Sequence, residues 1–141
     1  MRTSQTGINL IKAHEGLRLE AYRCPAGIYT IGYGHTAGVR RGDVIDERRA
    51  EQLLAEDLKK FEVVVNRECP GVNQNQFDAL VSFTFNLGET NLRKSTLLKC
   101  VKANPDNLNI RTEFLRWNKS KGEVLPGLIR RRKAEADLYF S

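Results

Sequence analysis

The stretch EGLRLEAYRCPAGIYTIGYGHT, residues 15–36, decides how the chain is read. It opens on an acid, Glu15, directly before Gly16, a natural helix stop. Ahead of it, residues 4–15 carry a helical pattern. Ile8, Leu10 and Ile11 supply an apolar side, and Thr3 or Ser4 can cap the start. Behind it the chemistry changes. Tyr22, Ile28, Tyr29, Thr30, Ile31 and Tyr33 are strand formers, with Pro25, Gly27, Gly32, Gly34 and Gly38 between them as turn and bulge residues. The expectation for residues 17–40 is a small, twisted antiparallel sheet, too short to stand without helices to lean on.

Working outward, residues 46–67 carry a long helical pattern. Ala50, Leu53, Leu54, Leu58, Phe61, Val64 and Val65 recur at steps of three and four, Asp46 can cap the start, and Pro70-Gly71 closes the region. The remainder reads as shorter helices. Phe77, Leu80, Val81 and Thr84 mark one that starts near Asn73, and Leu92, Leu97, Leu98 and Val101 mark the next. Phe114, Leu115 and Trp117 mark a third, and Leu128 through Phe140 form a last, basic helix after Pro126-Gly127. No repeat or flexible linker interrupts the pattern. The fold class is α+β, mainly helical, with the sheet confined to the N-terminal part. One domain, residues 1–141, is expected. Its N-terminal lobe covers about 1–45, a connecting helix about 46–67 and a C-terminal helical lobe about 70–141.

Lys and Arg number 23 against 17 Asp and Glu, a net charge of +6 that draws the chain toward polyanions without choosing among them. The three cysteines, Cys24, Cys69 and Cys100, are too few and too irregularly spaced for a disulfide framework or a zinc site, and they read as reduced thiols. No stretch is apolar enough for a signal peptide or a membrane span. The expectation is therefore a protein of the cytoplasm of its producing bacterial cell, with no stable membrane insertion. No nucleic-acid motif accompanies the Arg-rich last helix, so no nucleic-acid partner is expected.

Among single residues, Glu15 has the strongest chemistry. The negative end of its helix and partial burial beside a sheet both disfavour the charged carboxylate, and a protonated carboxyl is what a general acid needs. A glutamate in that place is otherwise an ordinary solvated charge. The sheet brings Cys24 and Thr30 near it, a polarisable thiol and a hydroxyl able to orient water. His35, at the end of the motif, reads as held by a hydrogen bond or ion pair rather than as a base. His14 and Glu20 read as solvated, and the cluster Arg130 to Lys133 as a solvated face.

The pattern as a whole resembles the phage-type lysozymes, glycoside hydrolase family 24. That family places a catalytic Glu, a second acidic residue nine positions on and a Thr six further; Glu15 and Thr30 match the first and third places, and Cys24 stands in the second. Gly16-Leu17-Arg18-Leu19, Tyr22 and Thr30-Ile31-Gly32-Tyr33-Gly34-His35 match around them. More loosely, Asn75 to Leu80, Phe85-Asn86-Leu87-Gly88, Ser95 to Leu98, Trp117 and Leu125 to Arg132 extend the likeness over the whole chain.

The resemblance implies a lysozyme-like two-lobe fold with a cleft, acting as a monomer on peptidoglycan glycan strands with no metal or organic cofactor. It implies hydrolysis of the β-1,4 bond between N-acetylmuramic acid and N-acetylglucosamine. In this reading Glu15 is the acid, Cys24 and Thr30 hold the attacking water, and Asn86, Tyr33 and Arg131 bind substrate. One arginine of the 130–132 run is implied to point at Glu15, opposing the helix-end effect. The implied role is that of an endolysin, released through a membrane lesion to lyse the host. Cys24 stands where the best-known members carry Asp, which leaves three routes open: a thiol–Thr30 water site, a thiolate, or a covalent thioglycosyl intermediate. Two other functions compete. One is a lytic transglycosylase on the same bond. The other is a catalytically degenerate fold that only binds the wall.

Overall fold

The computed structural model describes residues 1–141. Helix α1 (Gln5–Glu15) ends at Gly16, and the chain turns into strand β1 (Arg18–Arg23), paired antiparallel with β2 (Tyr29–Gly32). Tyr22 faces Thr30 and Arg23 faces Tyr29, with a bulge between Arg18 and Tyr22. Single bridges join Glu20 to Val44 and Ile31 to His35, so the hairpin folds back on the following loop. Helix α2 (Glu47–Glu68) then runs 22 residues, about 33 Å, away from the sheet. Asp46 caps it through the Arg49 N–H at 2.8 Å, a contact worth about 1 kcal/mol. The expected sheet and long helix are both present.

Helix α3 (Gln74–Leu87) is the axis of the fold. Asn73 and Gln76 form a reciprocal capping box at its start. Nine consecutive residues, Gln76 to Thr84, are buried, because α1, α2 and α7 (Pro126–Tyr139) pack around it. Phe77, Leu80 and Phe83 have 1% or less of their surface exposed and anchor a single core of 23 residues. A helix surrounded on all sides must satisfy its polar side chains internally. Thr84 donates to its own Leu80 carbonyl at 2.7 Å, and Asp78 accepts from the Ser4 backbone at 3.0 Å, the Ser4 hydroxyl and Gln74 at 2.8 Å.

Four details differ from the sequence expectation. Ser4 sits at the α1 N-cap, but its hydroxyl goes to Asp78 rather than to its own helix. A buried carboxylate demands donors, whereas an exposed helix end can use water. The apolar run from Leu92 to Val101 is two helices, α4 (Glu89–Lys94) and α5 (Thr96–Ala103). Ser95 parts them, donating to the Leu92 carbonyl and accepting from the Leu98 N–H. Trp117 lies past the end of α6 (Asn109–Leu115) and packs edge-on to Phe83. Finally, strand is not confined to the N-terminal part. β3 (Lys119–Ser120) and β4 (Glu123–Val124) form a second hairpin around Lys121-Gly122. Both turn residues have positive φ, 51° and 81°, the handedness that suits a two-residue hairpin loop.

The tightest helix contact is at Gly7, where a Cβ would lie 2.7 Å from Thr3 Cγ2 and 2.8 Å from two Asp78 side-chain atoms. Asp78 is pinned by its donors and cannot yield cheaply. Gly7→Ala is therefore expected to cost about 1–3 kcal/mol by overpacking, outweighing the gain of roughly 1 kcal/mol in helix propensity. Thermal unfolding followed by circular dichroism should show a melting temperature lower by about 3–10 °C. An unchanged or higher value means α1 and α3 have room to part.

Candidate active site

Glu15 is the last residue of α1, and its side chain is 20% exposed. Oε2 accepts from Arg131 Nη1 on α7, whereas Oε1 receives no hydrogen bond from the protein. Gly34 follows the β2 strand with φ +83°, and a Cβ there would lie 3.2 Å from Glu15 Oε1. A side chain at Gly34 would push the Glu15 carboxyl aside by a few tenths of an ångström, and its positive φ favours glycine, so Oε1 stays open beside the hairpin.

The arginine is itself held. Arg131 is 3% exposed, and its Nε lies 3.3 Å from Oε2 of Glu135, a carboxylate with no exposed surface. The same oxygen accepts from Ser82 Oγ at 2.5 Å and Arg132 Nη2 at 3.1 Å. Arg132 Nε lies 2.7 Å from Oε1 but off the line of a good hydrogen bond. Burial pushes the Glu135 carboxyl up from its ordinary value, against the pull of Arg132 and then Arg131. Burial pushes the Arg132 guanidinium down, against Glu135. Arg132 Nη2 also donates to Asn86 Oδ1 at 2.8 Å, and the Asn86 amide nitrogen makes no side-chain hydrogen bond to the protein. The expectation that residues 130–133 form a solvated face is thus corrected for Arg131 and Arg132. Their spacing to Glu135, three and four residues, makes internal ion pairs on one helix face.

Two cavities meet at Glu15 and Asn86. One, roughly 270 Å³, is lined also by Gly34, Thr36, Ala37, Asp57, Lys60, Phe61 and Phe85. The other, roughly 790 Å³, runs along Ala13, His14 and the start of α7, from Leu125 to Arg131. Together they make a groove with the free oxygen of Glu15 at its waist. Phe61, expected on the core face of α2, is half-buried and stands edge-on to Phe85 at 5.6 Å in the groove wall. His35 is held on both ring nitrogens, by Asp57 Oδ2 at 2.8 Å and the Ala37 carbonyl at 2.9 Å. That contact ties the loop after β2 to α2, as a structural histidine does.

Cys24 and Thr30 meet on the hairpin, outside the wall of the smaller cavity. The nearby backbone N–H groups of residues 26–28, Ile28 first, together with the Thr30 hydroxyl, hold the Cys24 thiol below its ordinary value against a smaller opposing effect of burial. Thr30 Oγ1 also lies 3.1 Å from the Ile28 carbonyl, so its one proton serves either that oxygen or the sulfur.

Of the candidate substrate contacts, Tyr33 is 4% exposed and belongs to the core. Arg131 lines the larger cavity while its hydrogen bonds go to Glu15 and Glu135. Sequence reasoning missed Glu135, Ser82, Asp57, Lys60 and Phe85. Only the Arg131–Arg132–Glu135 spacing carried a signal that could have found one of them.

Comparison with known proteins places this geometry among relatives. Residues 12–135 match the family described as phage lysozyme. An endolysin of Acyrthosiphon pisum secondary endosymbiont phage 1 is 44% identical, over 100% of this chain and 99% of its own. An endolysin of Bacillus phage B103 is 46% identical, and this chain spans 55% of its length. Among solved structures, the muramidase domain of SpmX from Asticaccaulis excentricus superposes with a TM-score of 0.92 at 37% identity, covering 99% of this chain and 98% of that one.

Cysteine reactivity tests the hairpin. All three thiols are free, and burial pushes the Cys69 thiol up to about 11. At pH 7–8 the lowered, half-exposed Cys24 holds the larger thiolate fraction. Iodoacetamide on the native protein should label Cys24 first and Cys69 last, read by peptide mass spectrometry. Labelling of Cys69 ahead of Cys24 contradicts the N–H environment described for Cys24.

Proposed function

Because the chain belongs to the phage lysozyme family, we propose that the groove around Glu15 is its active site. The protein is a muramidase of the endolysin type, a glycoside hydrolase of bacterial peptidoglycan. It cuts the β-1,4 bond between N-acetylmuramic acid and N-acetylglucosamine. One observation carries the site assignment. Glu15 offers a free oxygen to the groove while its other oxygen is held by a buried arginine. A general acid needs that arrangement, with one oxygen fixed for orientation and one exposed to the leaving group.

In this mechanism Glu15 Oε1 delivers its proton to the glycosidic oxygen. Thr30 and Cys24 hold the water that attacks the far face of the sugar. Their place rests on the spacing they share with the family. The N–H groups of the 26–28 turn hold the Cys24 thiol below its ordinary value, which shifts it toward the charged form, the part that a carboxylate plays in other members. Asn86, with its oxygen occupied by Arg132, turns its amide nitrogen to a sugar carbonyl or hydroxyl. Both walls of the groove come from one chain, so the enzyme acts as a monomer. No helix is long and apolar enough to cross a membrane. The endolysin reading implies manufacture in the cytoplasm of a bacterial cell and release to the wall through a membrane lesion.

Reducing ends released from purified sacculi test the assignment. Glu15→Gln is expected to lose about 10²–10⁴-fold in rate with the fold intact. Cys24→Ser should lose about tenfold or more, because a serine hydroxyl does not ionise at neutral pH. Mass spectrometry should find products heavier by one water. Anhydro-sugar ends instead would identify a transglycosylase, and undiminished activity in Glu15→Gln would move the acid elsewhere.

A further inference from the structure

The smaller cavity beside Glu15 is lined by three charged side chains, and two of them are held by partners within the protein. Glu15 is paired with Arg131, and Asp57 is paired with His35 at 2.8 Å. The third, Lys60, is exposed and makes no ion pair anywhere in the chain. Its ammonium stands 5.0 Å from the ring centre of Phe61, which itself lines the groove. The cavity therefore presents one cation without a direct partner, and a complementary ligand brings an anion to it.

We propose that Lys60 is a specificity-determining contact that takes a carboxylate of the wall polymer. This rests on the muramidase reading above. N-Acetylglucosamine carries no carboxyl group, whereas each N-acetylmuramic acid carries a lactyl group and the stem peptide built on it. Lys60 thus registers the strand, setting a muramyl unit rather than its neutral neighbour in the cavity beside the acid. Because the contact is made before and during bond cleavage alike, it acts on substrate binding and leaves the chemical step unchanged.

The neighbouring Lys59 supplies the control. It carries the same charge one residue away but lines a different cavity, with Ala55, Glu62 and Gln74. Wild type, Lys60→Gln and Lys59→Gln are compared on three substrates: native sacculi, sacculi stripped of stem peptides by an amidase, and sacculi with carboxyls converted to amides by carbodiimide and ammonia. On native sacculi Lys60→Gln is expected to raise the apparent KM about fivefold at nearly constant kcat, and Lys59→Gln much less. On the amidated sacculi wild type and Lys60→Gln should coincide. The lactyl carboxyl is amide-linked to the stem peptide in native sacculi and is freed by stripping, so a gap that survives stripping shows that the freed lactyl carboxylate replaces a stem-peptide carboxylate at Lys60, and one that vanishes confines the contact to the stem peptide. If Lys60→Gln matches Lys59→Gln on native sacculi, or its defect persists after amidation, the contact does not exist. If wild type releases no reducing ends from native sacculi, the muramidase reading itself fails.

Discussion

A carboxylate with no access to water lies at the centre of this molecule, and the active-site geometry depends on it. Glu135 is enclosed between α3 and α7 and takes Arg131, Arg132 and Ser82 onto its two oxygens. Burying an unpaired charge is prohibitive, so the arginines are obligatory partners. Once one of them is removed, the remaining buried charge costs about 3–5 kcal/mol. The pairing fixes two arginines whose free ends point outward from the core. One end reaches Glu15 and the other reaches Asn86. The two polar groups shared by both halves of the groove are thereby oriented from the same anchor, through side chains with almost no freedom to move.

This arrangement separates rigidity from exposure. The acid and the amide need surfaces open to a polymer, and open side chains ordinarily sample several rotamers. Here each keeps one polar atom tied to a buried guanidinium and leaves the other free. The hairpin contributes in a different way. Gly34 lets its backbone approach Glu15, and the N–H groups of the 26–28 turn hold the Cys24 thiol below its ordinary value. On the α2 wall, His35 holds Asp57 and leaves Lys60 without a direct partner.

Several of these features were legible in residues 15–36 and in the helical spacing. The end of α1 at Glu15, the short hairpin, the long α2 and its Asp46 cap all follow from local preferences, and local preferences are written in adjacent residues. The failures share a cause. Ser4 was read as a cap because its own helix was the only partner in view, yet Asp78, far along the chain, competes for the hydroxyl. Tyr33 sits in a motif rich in functional residues, but its ring is claimed by the core. Phe61 fits the apolar period of α2, and the wall of the groove crosses that face. The β3–β4 hairpin has four strand residues, too few for any alternation to register.

The sequence by itself determined the class of fold, the family likeness and Glu15 as the candidate acid, since each rests on residue type and spacing within a short span. Only the tertiary structure decided which arginine meets Glu15, that Glu135 supports it, and that Lys60 is left without a partner. Charges are paired by distance in space, and the closest partners here come from α1, α3 and α7, helices separated by most of the chain. A run such as Arg130 to Lys133 has the same composition whether it faces water or a buried carboxylate. Packing against α3 made the difference, by closing water away from two of its four residues.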